Sequence, residues 1–176
     1  MARYPWKQWK GSARRFVSLC PALGSSRSSS ARISKQIVSS HDTNQLLPAR
    51  TVTKYLESSS LDPLLRALVE IRVSQINGCV YCVNLHTEQA RQLGETQQRL
   101  DILPVWHEAP YFDERERAAL SWAEALTHVS STHAPDADYD LLCEYFSEKE
   151  IVDLSIAIAV MNAWNRIAIG LRKLPD

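Results

Sequence analysis

Residues 61–94 read LDPLLRALVEIRVSQINGCVYCVNLHTEQARQLG, and the punctuation of this stretch decides the fold. Asp62 is placed to cap a helix, and Pro63 suits the first turn, where a missing N–H costs nothing. Leu64, Leu68 and Ile71 then form an apolar stripe at helical spacing. Asn77-Gly78 breaks that helix. A second one is expected to start near Cys79, run to about Leu93 and stop at Gly94, since glycine accepts the left-handed conformation that ends helices.

The same grammar continues to the C-terminus. A short segment from Gln97 to Leu103 should end before Pro104, because proline disfavours helical geometry in the residue ahead of it, and a loop rich in Pro and aromatic residues follows. Asp113 and Glu116 are spaced as a capping box for a helix whose Ala119, Trp122, Ala123, Leu126 and Val129 share a face. Asp136 opens a shorter helix to about Phe146, and Ser147 with Glu150 caps the last one, to about Leu171. No run alternates as a strand would. The body is therefore expected to be all-α.

The last helix contains IVDLSIAIAVMNAWNRIAIGL, residues 151–171, and is apolar nearly all round, which means central burial or a subunit interface. Asp153, Asn162, Asn165 and Arg166 interrupt it, whereas a membrane span wants roughly 20 predominantly apolar residues, so no membrane partner is expected.

A chain of 176 residues, 45% of them hydrophobic, has room for one well-buried core. Its zero formal charge hides an asymmetry: residues 1–40 carry eight Lys or Arg and no acid, leaving twelve basic against twenty acidic residues afterwards. That acidic body is a poor surface for nucleic acid. The first forty residues also hold ten Ser and no sustained apolar period. We read residues 1–48 as a basic, Ser-rich, flexible extension and 49–176 as the helical domain; Arg and Ser without acids also suit a transit peptide or a nucleic-acid arm. Four scattered cysteines are too few for a disulfide scaffold, which points to a reducing compartment such as the cytoplasm.

Cys79, Cys82 and His86 are spaced i, i+3, i+7 and so share one narrow helical stripe, which continues through Val83, Ala90 and Leu93 as the inward face. Buried core residues would satisfy that pattern. The place of the pair in the first turn of a helix argues for more, because partial positive charge and free N–H groups there favour thiolate, as in redox Cys-x-x-Cys motifs. A haem attachment site needs His directly after the second Cys, where Val83 stands. Zinc needs a fourth ligand, and no second Cys or His pair has the spacing to supply it. Glu70, nine residues before Cys79, is either a solvated helix residue or a carboxylate that folds back to orient His86 as a proton relay. Of the remainder, Cys143 reads as a small core residue, Cys20 as part of the tail, and His41, His107, His128 and His133 as surface or loop positions. Trp106, Tyr111, Trp122 and Trp164 fit core packing better than an access channel.

ALVEIRVSQINGCVYCVNLHTEQARQLGET, with WNRIAI near the C-terminus, closely resembles the core of the alkylhydroperoxidase D and carboxymuconolactone decarboxylase family. The resemblance spans about Val52 to Leu171. It implies an all-α fold that oligomerises through its helices as a trimer or hexamer, and peroxidase activity without a bound cofactor or metal. Carried over by position, Cys82 corresponds to the peroxidatic thiol, Cys79 to the resolving thiol, and Glu70 with His86 to the proton relay. The implied partners are a hydroperoxide substrate and an external dithiol or lipoyl-type reductant. Tyr81 stands between the cysteines where some peroxidases of the family have His, and Glu70 is nearer the first Cys than their relay Glu. A non-redox lyase using Glu70 and His86 alone, or a helical binding module with incidental cysteines, is the competing expectation.

Overall fold

The computed structural model describes residues 47–175, and every regular element in that span is helical. In chain order these are α1 (Leu47–Glu57), α2 (Pro63–Asn77), α3 (Val80–Gln92), α4 (Gln97–Ile102), a 3₁₀ helix (Leu103–Glu108), α5 (Glu114–Thr127), α6 (Val129–Thr132), α7 (Asp136–Tyr145) and α8 (Glu148–Leu171). The assigned extension, residues 1–48, lies outside the described residues except for Leu47 and Pro48, which open α1.

The caps fall where the residue types place them. Asp62 accepts a 2.8 Å hydrogen bond from the Leu65 N–H at the start of α2. Asp113 with Glu116 and Ser147 with Glu150 each form a complete capping box, on α5 and α8. Gly78 closes α2 with φ 71°, a left-handed conformation; its own N–H and that of Cys79 return to the carbonyls of Gln75 and Ser74. The chain therefore leaves α2 and enters α3 within two residues, which brings the thiols against the helix they have just left.

α2 is buried on two sides. Leu65, Val69 and Val73 join a core with α5 and α8, while Ala67, Leu68 and Ile71 join another with Leu103, Trp106 and Leu120. Burying each such Leu or Ile contributes about 1.5–3 kcal/mol, so α2 is the axis of the described fold. α8 packs on α2, α5, α1, α3 and α7. It is long and apolar enough to cross a membrane by length and composition, yet it buries Asp153 and Asn165 inside the helical assembly.

α1 is fastened to α8 by polar side chains. Tyr55 Oη donates to Asp153 Oδ1 at 2.7 Å, Lys149 Nζ to Asp153 Oδ2 at 2.6 Å, and Trp164 Nε1 to Thr53 Oγ1 at 3.2 Å. Burial pulls the Asp153 carboxyl upward, but the hydrogen bonds from Lys149 and Tyr55 outweigh it and hold the group below its ordinary range. α1 thereby forms one wall of the cleft described below.

Four local expectations are corrected. Pro104 lies inside a 3₁₀ helix rather than a loop, in the first turn, where its missing N–H is tolerated. Val129 belongs to α6 and is exposed, because α5 ends at Thr127. Leu93 is also exposed, so the inward stripe of α3 ends at Ala90. Cys143 is exposed on α7, whose buried side is carried by Leu142.

Candidate functional site

Cys79 is the N-cap of α3 and makes no side-chain capping bond, and Cys82 follows in the first turn. Both are buried, at 1% and 4% exposure, and their sulfurs lie 2.9 Å apart as free thiols in hydrogen-bonding contact. His86, one turn further along α3, is buried too, and its Nδ1 lies 3.1 Å from Glu70 Oε2 on α2. That contact is close but off the line an N–H donor would take, leaving Nδ1 without an aligned hydrogen bond. Arg66 Nε approaches Glu70 Oε1 at 3.8 Å, one helical turn away. The fold thus brings together all four residues singled out in the sequence, Glu70, Cys79, Cys82 and His86.

Glu70, Cys82 and His86 open onto one cleft of about 610 Å3 between α1, α2, α3 and α8. Its apolar walls include Leu56, Leu85, Met161 and Trp164, and Tyr81 stands beside the thiol. The volume is within the range of small-molecule sites, roughly 300–1,000 Å3. Among the four aromatic residues considered above, Trp106 and Trp122 pack in the core, Tyr111 is exposed, and Trp164 alone reaches this cleft. A shallower hollow of about 510 Å3 on the outer face of α3 contains none of the four site residues.

The electrostatics of Cys82 reverse one expectation. Helix-start placement suggested a stabilised thiolate; instead burial pushes the Cys82 thiol up to about 12, and the hydrogen bond with Cys79 adds to that. A hydrogen bond from Asn165 works the other way. Desolvation wins because the sulfur is buried among core side chains, while a helix terminus contributes only about 0.3–1 kcal/mol.

Asn165 was missed as a site residue. It is fully buried on α8, and its Nδ2 also donates to Ser74 Oγ at 3.1 Å and to Met161 Sδ at 3.4 Å. Asn77 Nδ2 fixes the opposite end of the amide by donating to Asn165 Oδ1 at 2.9 Å, and to Asn162 Oδ1 at the same distance. A carboxamide fixed at both ends therefore stands beside Cys82 with its donor side toward that sulfur. The available signal was an Asn within the nearly continuous apolar run of residues 151–171, which reads equally well as a mere interruption.

The carboxymuconolactone decarboxylase family model matches residues 46–125. An uncharacterized Bacillus subtilis protein, YdfG, is 42% identical over 118 residues, covering 67% of this chain and 80% of the relative. Among solved structures, a protein of unknown function from Agrobacterium tumefaciens, proposed to be an antioxidant defence protein AhpD, is 38% identical with a TM-score of 0.73, covering 75% of this chain and 91% of that one. An uncharacterized peroxidase-related protein from a Silicibacter species is 28% identical with a TM-score of 0.69, covering 77% and 72%.

Proposed function

Because this chain belongs to the carboxymuconolactone decarboxylase family and has its alkylhydroperoxidase D-like helical fold, we propose that it is a thiol-dependent peroxidase that reduces hydroperoxides. One observation carries the reading: two free sulfurs 2.9 Å apart, with Cys82 opening onto the cleft that also holds the Glu70–His86 pair. A lyase working through Glu70 and His86 alone has no use for that dithiol.

Cys82 is the attacking thiol, since it lines the cleft and Cys79 does not. Its proton leaves as a hydroperoxide enters, taken by His86 directly or through water, with Glu70 holding the imidazole. The Cys82 sulfur attacks the terminal peroxide oxygen; an S–O bond forms, the O–O bond breaks, and the alkoxide takes the proton to leave as an alcohol. Cys79 sulfur then attacks the sulfenic acid, forming a disulfide and releasing water. An external dithiol, of lipoyl type in this proposal, returns two electrons and two protons by thiol–disulfide exchange. Such chemistry suits a reducing compartment, and we assign the protein to the cytoplasm.

We further assign a homo-oligomer, trimer or hexamer, held through α8, whose Val152, Ala159 and Ala163 form an exposed apolar stripe at helical spacing. Sedimentation of wild type against Ala163→Arg tests it: a monomer in both would remove the oligomer. The activity is tested by hydroperoxide consumption with a dithiol reductant, comparing wild type, Cys82→Ser and Cys79→Ser. Loss of turnover by about a thousandfold or more is expected for Cys82→Ser. If both serine variants keep full turnover, the thiols are bystanders and the non-redox reading stands.

A further inference from the structure

The cleft beside Cys82 is built for more than a peroxide group. Its inner walls are apolar, from Leu56 on α1, Leu85 on α3, and Met161 and Trp164 on α8. Its lining also includes Arg50 and Lys54, exposed and one turn apart on α1, and Lys173 just past α8. Lys173 Nζ sits 5.1 Å from the centre of the Tyr81 ring. Two carboxylates face the same space, Glu57 and Glu70, and Glu70 is already engaged by His86 and Arg66. Arg50 and Lys54 thus outnumber the one carboxylate around the opening that His86 and Arg66 do not engage, in a chain whose residues beyond 40 are acidic overall.

Elsewhere in the described residues Arg72, Arg99, Arg115 and Lys149 sit on carboxylates, while Arg117 and Arg166 are held by carbonyl and amide oxygens. No carboxylate among the described residues pairs with Arg50 or Lys54 in that way. An apolar hollow ending in Arg50 and Lys54, neither on a carboxylate, suits a molecule with a hydrocarbon body and an anionic end.

We infer that the cleft binds acyl chains ending in a carboxylate, with the carboxylate at Arg50 and Lys54 and the chain along the Leu56, Met161 and Trp164 walls. Resting on the peroxidase reading, this makes fatty-acid hydroperoxides the preferred substrate class, ahead of neutral hydroperoxides of similar size. The peroxide group on the chain then lies toward Cys82 while the carboxylate stays at the opening.

The test separates binding from chemistry. Binding of decanoate and of neutral 1-decanol to the full chain is measured by calorimetry, for wild type, for the double variant Arg50→Glu/Lys54→Glu, and for Arg91→Glu/Arg172→Glu as a charge-matched control, with thermal melting to check folding. Decanoate should bind about tenfold more weakly to the cleft variant, while 1-decanol binding and the control variant change less than about twofold. Equal binding of the two probes by wild type overturns the inference, as does an equal loss in the control variant, which would mark a global charge effect. In turnover, KM for linoleic acid hydroperoxide should rise in the cleft variant with that for its methyl ester unchanged. If decanoate selectivity holds but no hydroperoxide is consumed, the ligand class survives and the peroxidase reading fails.

Discussion

α5 and α8 begin alike, and α3 begins differently. The first two start on Asp113 and Ser147, each in a reciprocal capping box that satisfies backbone donors at both ends of the motif. α3 starts on Cys79, whose side chain caps nothing, and it is the helix that carries Cys82 and His86. Two starts serve the fold. The third forgoes a cap contribution of about 1 kcal/mol and places a thiol there, its sulfur turned to Cys82 instead of the backbone. The difference teaches where this sequence departs from its own local rules: at the dithiol, with the loss covered by burial of α2 and α8 around it.

The largest expected effect comes from removing the polar support behind the odd helix start. Asn165→Leu keeps the branching of the side chain but deletes the donor to Cys82 and removes one hydrogen-bond partner each from Asn77 and Ser74, which keep Asn162 and the Glu70 carbonyl. Iodoacetamide alkylation of Cys82 at neutral pH should slow about tenfold to a hundredfold, because a charge-assisted hydrogen bond contributes roughly 1.5–3 kcal/mol. The alkylation profile against pH should move further to the alkaline side. Loss of stability with an unmoved profile would mean that Asn165 only fills the core.

A second, smaller effect concerns pH. The folded Cys82 thiol is held up at about 12 by burial, whereas in the unfolded chain it titrates near the ordinary thiol value, about 8.5. A raised value means that the folded state holds the proton more tightly. The stabilisation is therefore complete below the unfolded value and is lost as pH rises from there toward 12. Urea unfolding between pH 8.5 and 11 should show wild type losing stability with a steeper slope than Cys82→Ser, by at most one proton's worth, about 1.4 kcal/mol per pH unit. Parallel slopes would show that Cys82 is not desolvated in the fold.

Which parts of this were legible in the sequence follows from the same contrast. Asp62, Gly78, Asp113 and Ser147 act on neighbours within four residues, so their helices could be bounded from local pattern alone. The stripe Cys79, Cys82, His86 is likewise a property of one helix. Glu70 could be nominated because a two-residue turn separates its helix from α3, which leaves little freedom in how the two pack. Asn165 lies more than eighty residues from the thiols in sequence, and only the packing of α8 on α2 and α3 brings it there. The charge state of Cys82 departs from the helix-start expectation for a related reason: helix position is local, but desolvation is set by every element that closes over the sulfur. α7 shows the converse, since Leu142 and Cys143 are neighbours and only the fold decides which of them is buried.

The smallest effects test the caps themselves. Ser147→Ala removes the oxygen that accepts from the Glu150 N–H and that donates to Glu150 Oε2, leaving only the backbone N–H of residue 147 on that carboxylate, so α8 should lose about 1 kcal/mol in urea unfolding. Cys79→Asp does the reverse for α3, offering a carboxylate to first-turn N–H groups that have no side-chain acceptor now. Part of that gain is spent in desolvating a carboxylate at a position that is 1% exposed, so we expect a net change within about 1 kcal/mol of wild type. The same variant cannot form the Cys79–Cys82 disulfide and should stop at a Cys82 sulfenic acid, detectable by a dimedone adduct after one equivalent of hydroperoxide. A helix that tolerates the cap while the adduct accumulates would show that the thiol at this helix start is kept for chemistry. Unfolding weakened by several kcal/mol would show instead that Cys79 is held there by packing, and the contrast between α3 and the two capped helices would lose its functional meaning.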